Sequence, residues 1–331
     1  MGATPSAPRV ETRPARRRLF FTRDAAGWNN VRITFESLVC AAVLTERQLV
    51  LPPPSVIDHL PSTPFHELQV YDVPGLAAAV SFASGDQPPP QAVFAGSLQD
   101  FLGAEDAGRD VVLDPQSTRI QHFECLGLRG EDARRAARAV LSLGLALPYE
   151  EAALRALQRA DLRPGEYHAV HLRRGDFAQF RPETQWSGED LQGRVRAAFP
   201  MAERSWPLLV ACATAADEAD PFPELAAALH ERRVVRTDEL YGPHDGPLHR
   251  VIVDTLLLAK AGRFAGTPDS TYSTGVWHWR ARERVLRGEA PESPAGLGQL
   301  TTPPASGACW QRCTSFEALR GAALGLATPP Q

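Results

Sequence analysis

The chain has 331 residues, of which 44% are hydrophobic and 22% charged, as is typical of a soluble globular protein. This length is enough for about two domains with cores of their own. The formal charge of −4 argues against a general nucleic-acid binder, and no uninterrupted apolar run reaches the roughly 18–20 residues that a membrane-spanning helix needs. Lys260 is the only lysine, and the alanine on each side of it excludes the Gly-Lys-Ser/Thr sequence of a phosphate-binding P-loop.

The N-terminal tail and the cysteines indicate where in the cell the protein is expected. Residues 1–18 are rich in proline, alanine and arginine and are predicted to be a disordered basic tail, with an organelle transit peptide as the alternative. The five cysteines are too scattered for a disulfide framework, so a cytoplasmic protein is expected. Cys309 and Cys313 leave open a local bridge or half of a zinc site, although no histidine or further cysteine lies near them.

A first alternation of strands and helices is predicted over residues 19–162. The apolar pattern predicts strands over Leu19–Thr22 and Gln48–Leu51, helices over Val31–Thr45, Glu131–Leu143 and Glu150–Arg159, and a loop-rich segment over Pro61–Pro115. A strand, a loop, a helix and a second strand make the βαβ unit of a parallel sheet.

A second alternation follows over residues 163–285, after the sequence Arg163-Pro164-Gly165. Strands are predicted over Tyr167–Leu172, Pro207–Ala213, Arg233–Arg236 and Arg263–Ala265, and helices around Leu191–Phe199 and over Pro223–His230, His249–Ala261 and Ser270–Arg284. Residues 286–331 form a Pro/Gly-rich extension. The pattern therefore predicts two α/β halves with a cleft between them.

The first polar motif is Gly27-Trp28-Asn29-Asn30-Val31-Arg32, between a predicted strand and a predicted helix. Ligands of α/β sheets bind outside the carboxyl ends of the strands, and a helix N-terminus offers free N–H groups to an anion. Asn29 and Asn30 are the only asparagines of the chain, and their amides suit sugar hydroxyls. A helix cap by one asparagine would explain Asn30 but would leave Asn29 and Arg32 unexplained.

The second motif is His171-Leu172-Arg173-Arg174-Gly175-Asp176, directly after a predicted strand. Guanidinium groups bind phosphate oxygens in pairs, so Arg173 and Arg174 suit a diphosphate. The alternative is an ordinary surface ion pair between Arg174 and Asp176. His168 and His171 lie an odd number of residues apart and face opposite sides of the strand, so they cannot form a local metal pair.

The third motif joins Asp254, on a helix that is apolar almost all round, to the run Ser270-Thr271-Tyr272-Ser273. A buried carboxylate is costly unless it is paired. Asp254 can accept two hydrogen bonds and so matches the two donors of a guanine edge, with a buried salt bridge to an arginine as the alternative. Ser270 and Thr271 at a helix start can cap it, and the same groups can hold a phosphate.

In this order, the three motifs resemble the GDP-fucose protein O-fucosyltransferase family and the wider α1,2/α1,6/O-fucosyltransferase superfamily. The resemblance runs roughly from Leu19 to Arg284 and includes Val253-Asp254 and Phe264-Ala265-Gly266-Thr267-Pro268. It implies a GT-B fold, in which two Rossmann-like domains face each other across a cleft, the first on the acceptor side and the second binding the nucleotide sugar. It also implies inverting, metal-independent transfer of fucose from GDP-fucose to a hydroxyl of a protein or glycan acceptor. The absence of an Asp-x-Asp motif agrees with this.

The resemblance also implies roles for single residues. Arg173 corresponds to the essential arginine on the β-phosphate and the glycosidic oxygen, and His171 lines the same pocket. Asn29 corresponds to a contact of fucose and phosphate, and Asp254 to the guanine-reading carboxylate. Ser270, Thr271 and Tyr272 correspond to the phosphate- and base-contacting run, in which other members have Phe in place of Tyr272.

The chain departs from this pattern at Ala26, where some members of the family carry a glutamate as catalytic base. Asp24 is the candidate substitute, with assistance by the leaving phosphate or by Arg173 as the alternative. A non-catalytic nucleotide-sugar-binding protein on the same fold is the second hypothesis for the function. A dinucleotide-dependent oxidoreductase is disfavoured because no Gly-x-Gly-x-x-Gly follows any predicted strand.

Overall fold

The computed structural model describes residues 17–24, 27–57, 60–85, 93–94, 96, 98–104, 110–114, 130–175, 179, 182, 185–186, 188–199, 203, 205–213, 222–243, 245–267, 270–287 and 289. The strands are β1 (Arg18–Phe21), β2 (Gln48–Leu51), β3 (Ser55–Ile57), β4 (Leu60–Phe65), β5 (Phe82–Ser84), β6 (Val111–Leu113), β7 (His168–Arg173), β8 (Leu208–Ala213), β9 (Val234–Arg236) and β10 (Arg263–Gly266). The α-helices are α1 (Trp28–Leu44), α2 (Glu67–Val70), α3 (Val73–Ala79), α4 (Leu98–Gly103), α5 (Gly130–Ser142), α6 (Leu147–Arg159), α7 (Gly188–Ala198), α8 (Phe222–Ala228), α9 (Pro247–Ala259) and α10 (Thr271–Leu286).

The strands form two parallel four-stranded sheets, as the alternating sequence pattern predicts. The first has the order β5-β2-β1-β6 and the second the order β10-β7-β8-β9, while β3 and β4 form an antiparallel hairpin. All neighbouring strands within each four-stranded sheet are parallel. The carboxyl ends of the strands in each sheet therefore lie at one edge, where polar loops can converge on a ligand.

Helix α1 lies at the centre of the fold. It is buried without a break from Val31 to Ala42, so it is covered on every side rather than amphipathic. It contacts α5, and it also contacts α10 near the end of the chain. One apolar core contains both Leu19 of the first sheet and Trp279 of α10, so the helix after the first motif packs against the helix after the third.

Two sequence-based boundaries need correction. The segment Pro61–Pro115 is not loop-rich in its described part, since it contains most of β4, helices α2 to α4, and strands β5 and β6. Its prolines mislead because Pro61 and Pro64 lie in an outer hairpin strand, where a missing backbone donor is tolerated. The predicted tail is also too long, because Arg18 begins β1 and pairs with Asp110 at 2.7 Å.

The remaining parts of these predictions lie outside the described residues. This applies to residues 1–16 of the tail and to residues 290–331 of the extension, which include Cys309 and Cys313. Within the described ranges, no helix combines the length and the apolar character that crossing a membrane requires.

Candidate functional site

The carboxyl ends of β7 and β10 are tied together by hydrogen bonds around the second motif. The backbone N–H of Arg173 donates to Thr267 Oγ1 at 2.8 Å, and the same hydroxyl donates to the carbonyl of His171 at 3.0 Å. His171 Nδ1 lies 2.8 Å from the hydroxyl of Ser273, in the first turn of α10. The start of α10 is therefore fixed against the end of β7, where Arg173 emerges.

His171 is a buried, neutral imidazole. The residue is 4% exposed, and its ring stacks on Tyr272 with centroids 4.4 Å apart. Burial, and then the positive charge of Arg173, lower the pKa of His171 to about 3. Arg173 therefore stands beside a group that adds no charge of its own at neutral pH. His168 faces the other side of β7, where its ring stacks on Phe199, so the expected opposite orientation of the two histidines is confirmed.

Arg174 takes a different direction from Arg173. It is 8% exposed, and its Nη2 donates to the backbone carbonyl of Trp186. The next residue, Gly175, has a φ of 69°, a left-handed conformation that favours glycine. Asp176, the alternative partner of Arg174, lies outside the described residues. The structure thus gives the two adjacent arginines different surroundings, and the contact of Arg174 with a phosphate stays a prediction.

The two asparagines lie in the first turn of α1 rather than at its cap. The helix begins at Trp28 with Gly27 as N-cap, and no side chain caps it. The interpretation of one asparagine as a cap is therefore wrong. Asn29 is 5% exposed, and the side-chain oxygens of both Asn29 and Asn30 are buried without a hydrogen-bond partner among the described residues. Buried acceptors of this kind are costly unless a ligand or water satisfies them.

Arg32, which the sequence places in the donor site, lies between α1 and α10. Its side chain is 1% exposed and pairs with Glu36 at 3.0 Å. Its guanidinium carbon lies 6.0 Å from the ring centroid of Trp279 on α10. Arg32 thus links the two helices, and its contact with a ligand stays a prediction.

Gly275 of α10, two residues after the run Ser270–Ser273 of the third motif, is the point at which this helix meets the first motif. A Cβ atom at this position would lie 2.1 Å from Asn29 Oδ1 and 2.8 Å from a terminal nitrogen of Arg32. Real Cβ atoms do not approach other atoms this closely, so glycine is what admits the asparagine. The carboxamide of Asn29 is thereby placed against the same helix whose first turn holds His171.

We expect Gly275→Ala to destabilise the protein by about 1–3 kcal/mol, because the methyl group overpacks this contact, and to weaken donor binding by displacing Asn29. Helix propensity alone would instead stabilise the alanine variant by about 0.5–1 kcal/mol. Gly193→Ala in α7 is the matched control, since nothing lies within 4 Å of its Cβ position. Denaturant unfolding of both variants checks this, and equal stability changes would contradict it.

Asp254 lies on α9, and its partners are hydroxyl groups. Tyr241 donates to Asp254 Oδ1 at 2.5 Å, and Thr237 also hydrogen bonds to the carboxylate. Burial raises the pKa of Asp254 to about 7, although these two hydrogen bonds favour the charged form. No described arginine lies within ion-pair distance of Asp254, so the alternative of a buried salt bridge is wrong for this part of the chain.

Ser270, Thr271 and Tyr272 lie at the start of α10. Ser270 is the N-cap of this helix, and its side chain accepts from the backbone N–H of Ser273. Burial, and then the negative charge of Asp254, raise the pKa of Tyr272, and the ring of Tyr272 stacks on His171. Thr271 begins the helix and is half-buried. The second and third motifs therefore form one continuous region.

Asp24, the candidate base, follows β1 and is 2% exposed. Its neighbour Arg23 is held by both oxygens of the buried Glu67, at 2.8 and 2.7 Å, which fixes the loop after β1 against α2. Ala26 lies outside the described residues. The role of Asp24 as a base stays a prediction.

Four residues of this region were not among the sequence-predicted site residues: Thr237, Tyr241, Thr267 and Gly275. Thr267 lies in the segment Phe264–Pro268 that carries the resemblance, but no role was assigned to it, and Gly275 follows the run Ser270–Ser273 by two residues. Tyr241 precedes Asp254 by thirteen residues, and the loop before α9 and the first turns of α9 lie between them. No local sequence pattern therefore links the two. No group of three or more metal-binding side chains occurs among the residues that the structure describes, and metal independence stays a prediction.

Comparison with solved structures identifies the fold. POFUT1 in complex with GDP matches with a TM-score of 0.56 and 15% identity over 85% of this chain and 97% of the other. Apo POFUT1 matches with a TM-score of 0.54 and 14% identity, over 85% and 98%. The α-1,6-fucosyltransferase NodZ, co-crystallised with GDP, matches with a TM-score of 0.50 and 15% identity, over 79% and 92%.

The chain has the fold of these fucosyltransferases. No family model and no curated protein matches its sequence. At this level of identity the comparison establishes the fold alone, an α/β fold with parallel sheets that these fucosyltransferases share.

Proposed function

We propose that the chain is a fucosyltransferase that uses GDP-fucose as its donor. The observation that carries the proposal is the convergence of the three motifs on the start of α10. Ser273 and Tyr272 contact His171 of the second motif, and Gly275 contacts Asn29 of the first. The fold supports it as well, since the solved structures of this fold include POFUT1 in complex with GDP and with GDP-fucose and NodZ co-crystallised with GDP.

The proposed architecture is of the GT-B type. Residues 19–162 form the Rossmann-like domain on the acceptor side, and residues 163–285 form the Rossmann-like domain that binds the nucleotide sugar. The parallel sheets β5-β2-β1-β6 and β10-β7-β8-β9 support this division. The acceptor is a hydroxyl of a protein serine or threonine or of a glycan.

The proposed reaction is an inverting displacement without a metal ion. The acceptor oxygen attacks the anomeric carbon from the face opposite the diphosphate, the bond from this carbon to the diphosphate oxygen breaks, and the acceptor proton passes to a base. Negative charge grows on the departing GDP, so a fixed cation stabilises the transition state more than the ground state. Arg173 supplies this cation, because its backbone is held by Thr267 and its neighbour His171 is neutral.

The remaining residues bind and orient the donor. The buried, unpaired side-chain oxygens of Asn29 and Asn30 accept hydrogen bonds from hydroxyls of the sugar. Ser270 and Thr271 offer hydroxyl and helix N-terminal N–H groups to the diphosphate. Asp254, when ionised, accepts from two donors of the guanine edge.

Nucleotide preference tests the role of Asp254. We expect GDP to raise the melting temperature of the wild type while UDP and ADP do not, and we expect Asp254→Ala to lose about tenfold or more in GDP affinity. Since burial raises the pKa of this carboxyl to about 7, GDP affinity should increase as the pH rises through that value. Glu239→Ala, an exposed acid nearby, is the control. An equal response to all three nucleotides would overturn the guanine assignment.

Turnover tests the reaction itself. The assay measures GDP release from GDP-fucose in the presence of EDTA, with serine- and threonine-containing peptides and oligosaccharides as acceptors, and with GDP-mannose as the control donor. We expect GDP release from GDP-fucose and none from GDP-mannose. Binding of GDP-fucose without turnover for any acceptor or water would instead favour the non-catalytic nucleotide-sugar-binding protein.

A further inference from the structure

Tyr241 lies in the connection between β9 and α9, just after a 3-10 helix over Asp238–Leu240. Its hydroxyl donates to Asp254 Oδ1 at 2.5 Å, and the backbone carbonyl of Arg250 lies 3.2 Å from the same hydroxyl. No other part of the proposed donor site uses this residue. The shorter of its two hydrogen bonds is thus made to the carboxylate that is proposed to read the base.

The side chain of Arg250 holds the ring of Tyr241 in place. The guanidinium of Arg250 lies 5.6 Å from the ring centroid, and it donates to the backbone carbonyls of Asp245 at 2.7 Å and Gly242 at 3.2 Å. The arginine is therefore anchored at both ends of the loop that begins with Tyr241. An anchored cation over the ring limits the positions that the phenol can adopt.

The hydrogen bond has a geometric consequence for Asp254. A carboxylate has about four lone-pair sites and can rotate about its last torsion. A donor fixed on Oδ1 selects one orientation of the carboxylate. Less side-chain freedom is then lost when the two donors of a ligand bind to it. Groups that orient a contacting side chain in this way commonly matter nearly as much as the side chain itself.

The hydrogen bond also has an electrostatic consequence. Burial disfavours the charged form of Asp254, whereas the hydroxyls of Tyr241 and Thr237 favour it. The titratable and charged groups that act on the carboxyl from the elements packed against it are Tyr241, Asp238, Arg250 and Tyr272. Among these, Tyr241 is the group in direct hydrogen-bond contact.

We propose that Tyr241 is a positioning residue that sets the base specificity of the nucleotide site through its hydrogen bond to Asp254. The inference rests on the proposed function, because it assumes that Asp254 contacts the guanine base. It adds a specificity determinant that lies outside the three sequence motifs.

The test is the variant Tyr241→Phe, which removes the hydroxyl and keeps the ring. Dissociation constants are measured for GDP, IDP and ADP from about pH 5.5 to about pH 8.5, a range that spans the titration of Asp254. We expect GDP affinity to fall by about tenfold. We expect ADP affinity to change less, so that the preference for GDP over ADP becomes smaller. We also expect the midpoint of the pH dependence of GDP binding to move upward, because the charged carboxylate loses a donor.

Two further variants make the test specific. Tyr149→Phe removes a hydroxyl from a half-buried tyrosine that contacts His249 of α9, and we expect it to leave the ratio and the midpoint unchanged. Thr237→Val removes the other donor to Asp254 and should shift the midpoint in the same direction as Tyr241→Phe. It also provides a second measurement if Tyr241→Phe does not fold.

The outcomes separate the two hypotheses. A wild type that prefers GDP, combined with a Tyr241→Phe variant that keeps the same ratio and midpoint, overturns the role of Tyr241 and leaves the proposed function standing. A wild type that binds GDP and ADP equally overturns the guanine assignment, and the role of Tyr241 falls with it.

Discussion

Replacing Arg173 with alanine is expected to lower kcat for GDP-fucose turnover by about 10²–10³-fold, or about 3–4 kcal/mol in the barrier, by analogy with the loss of one oxyanion donor. The charge on the departing diphosphate is greatest in the transition state, so losing a fixed cation affects the rate more than donor binding. The backbone of Arg173 is held by Thr267 independently of its side chain. We therefore expect the melting temperature to remain close to that of the wild type.

The variant Arg173→Lys separates charge from geometry. Lysine keeps the positive charge but lacks the planar pair of donors that matches two phosphate oxygens. We expect a loss of rate smaller than that of Arg173→Ala. Two results would contradict the assigned role: an alanine variant that turns over GDP-fucose at the wild-type rate, or one that no longer folds, since the latter would make Arg173 a structural residue.

The second large effect concerns stability. Glu36→Gln is expected to destabilise the protein by about 3–5 kcal/mol, because it leaves a buried arginine without its anionic partner. Arg32 and Glu36 are 1% and 6% exposed at their side chains. Burial raises the pKa of Glu36, while the guanidinium groups of Arg32 and Arg282 oppose this and favour the charged form. The pair lies within α1, and it holds the guanidinium of Arg32 in place over the ring of Trp279 on α10. Its loss should therefore loosen the contact between the two helices.

The chain offers a matched control for this substitution. Glu151 and Arg155 form an ion pair with the same spacing of four residues at 3.2 Å, but both side chains are more than half exposed. We expect Glu151→Gln to cost only about 0.3–0.5 kcal/mol. Urea unfolding of both variants measures the difference, and similar losses for the two would show that burial of the Arg32–Glu36 pair is not what stabilises this contact.

Most of the fold could be predicted from the sequence, because long elements carry strong patterns. The apolar run of α1 and the buried strands β2 and β7 are found within a few residues of their predicted bounds. The segment after β2 could not be predicted, since its elements are short and β4 contains two prolines. A three-residue strand such as β5 is stabilised by its neighbours in the sheet and has no periodicity of its own.

The site could be predicted in its residue types but not in its contacts. The residue types alone do not distinguish Arg173 from Arg174, and only the family resemblance singles out Arg173. In the structure Arg174 donates to the carbonyl of Trp186. Nor could it indicate that Gly275 admits Asn29, because the approach of two helices is set by tertiary packing. Tyr241 meets Asp254 only because the loop before α9 folds back on that helix.

A crystal structure of the chain grown with GDP would show whether the three motifs form one nucleotide site. We predict the diphosphate within hydrogen-bond distance of the Arg173 guanidinium and the N-terminus of α10, with the guanine edge on Asp254. Well-ordered GDP at any other place, or a base that contacts neither Asp254 nor its surroundings, would contradict it.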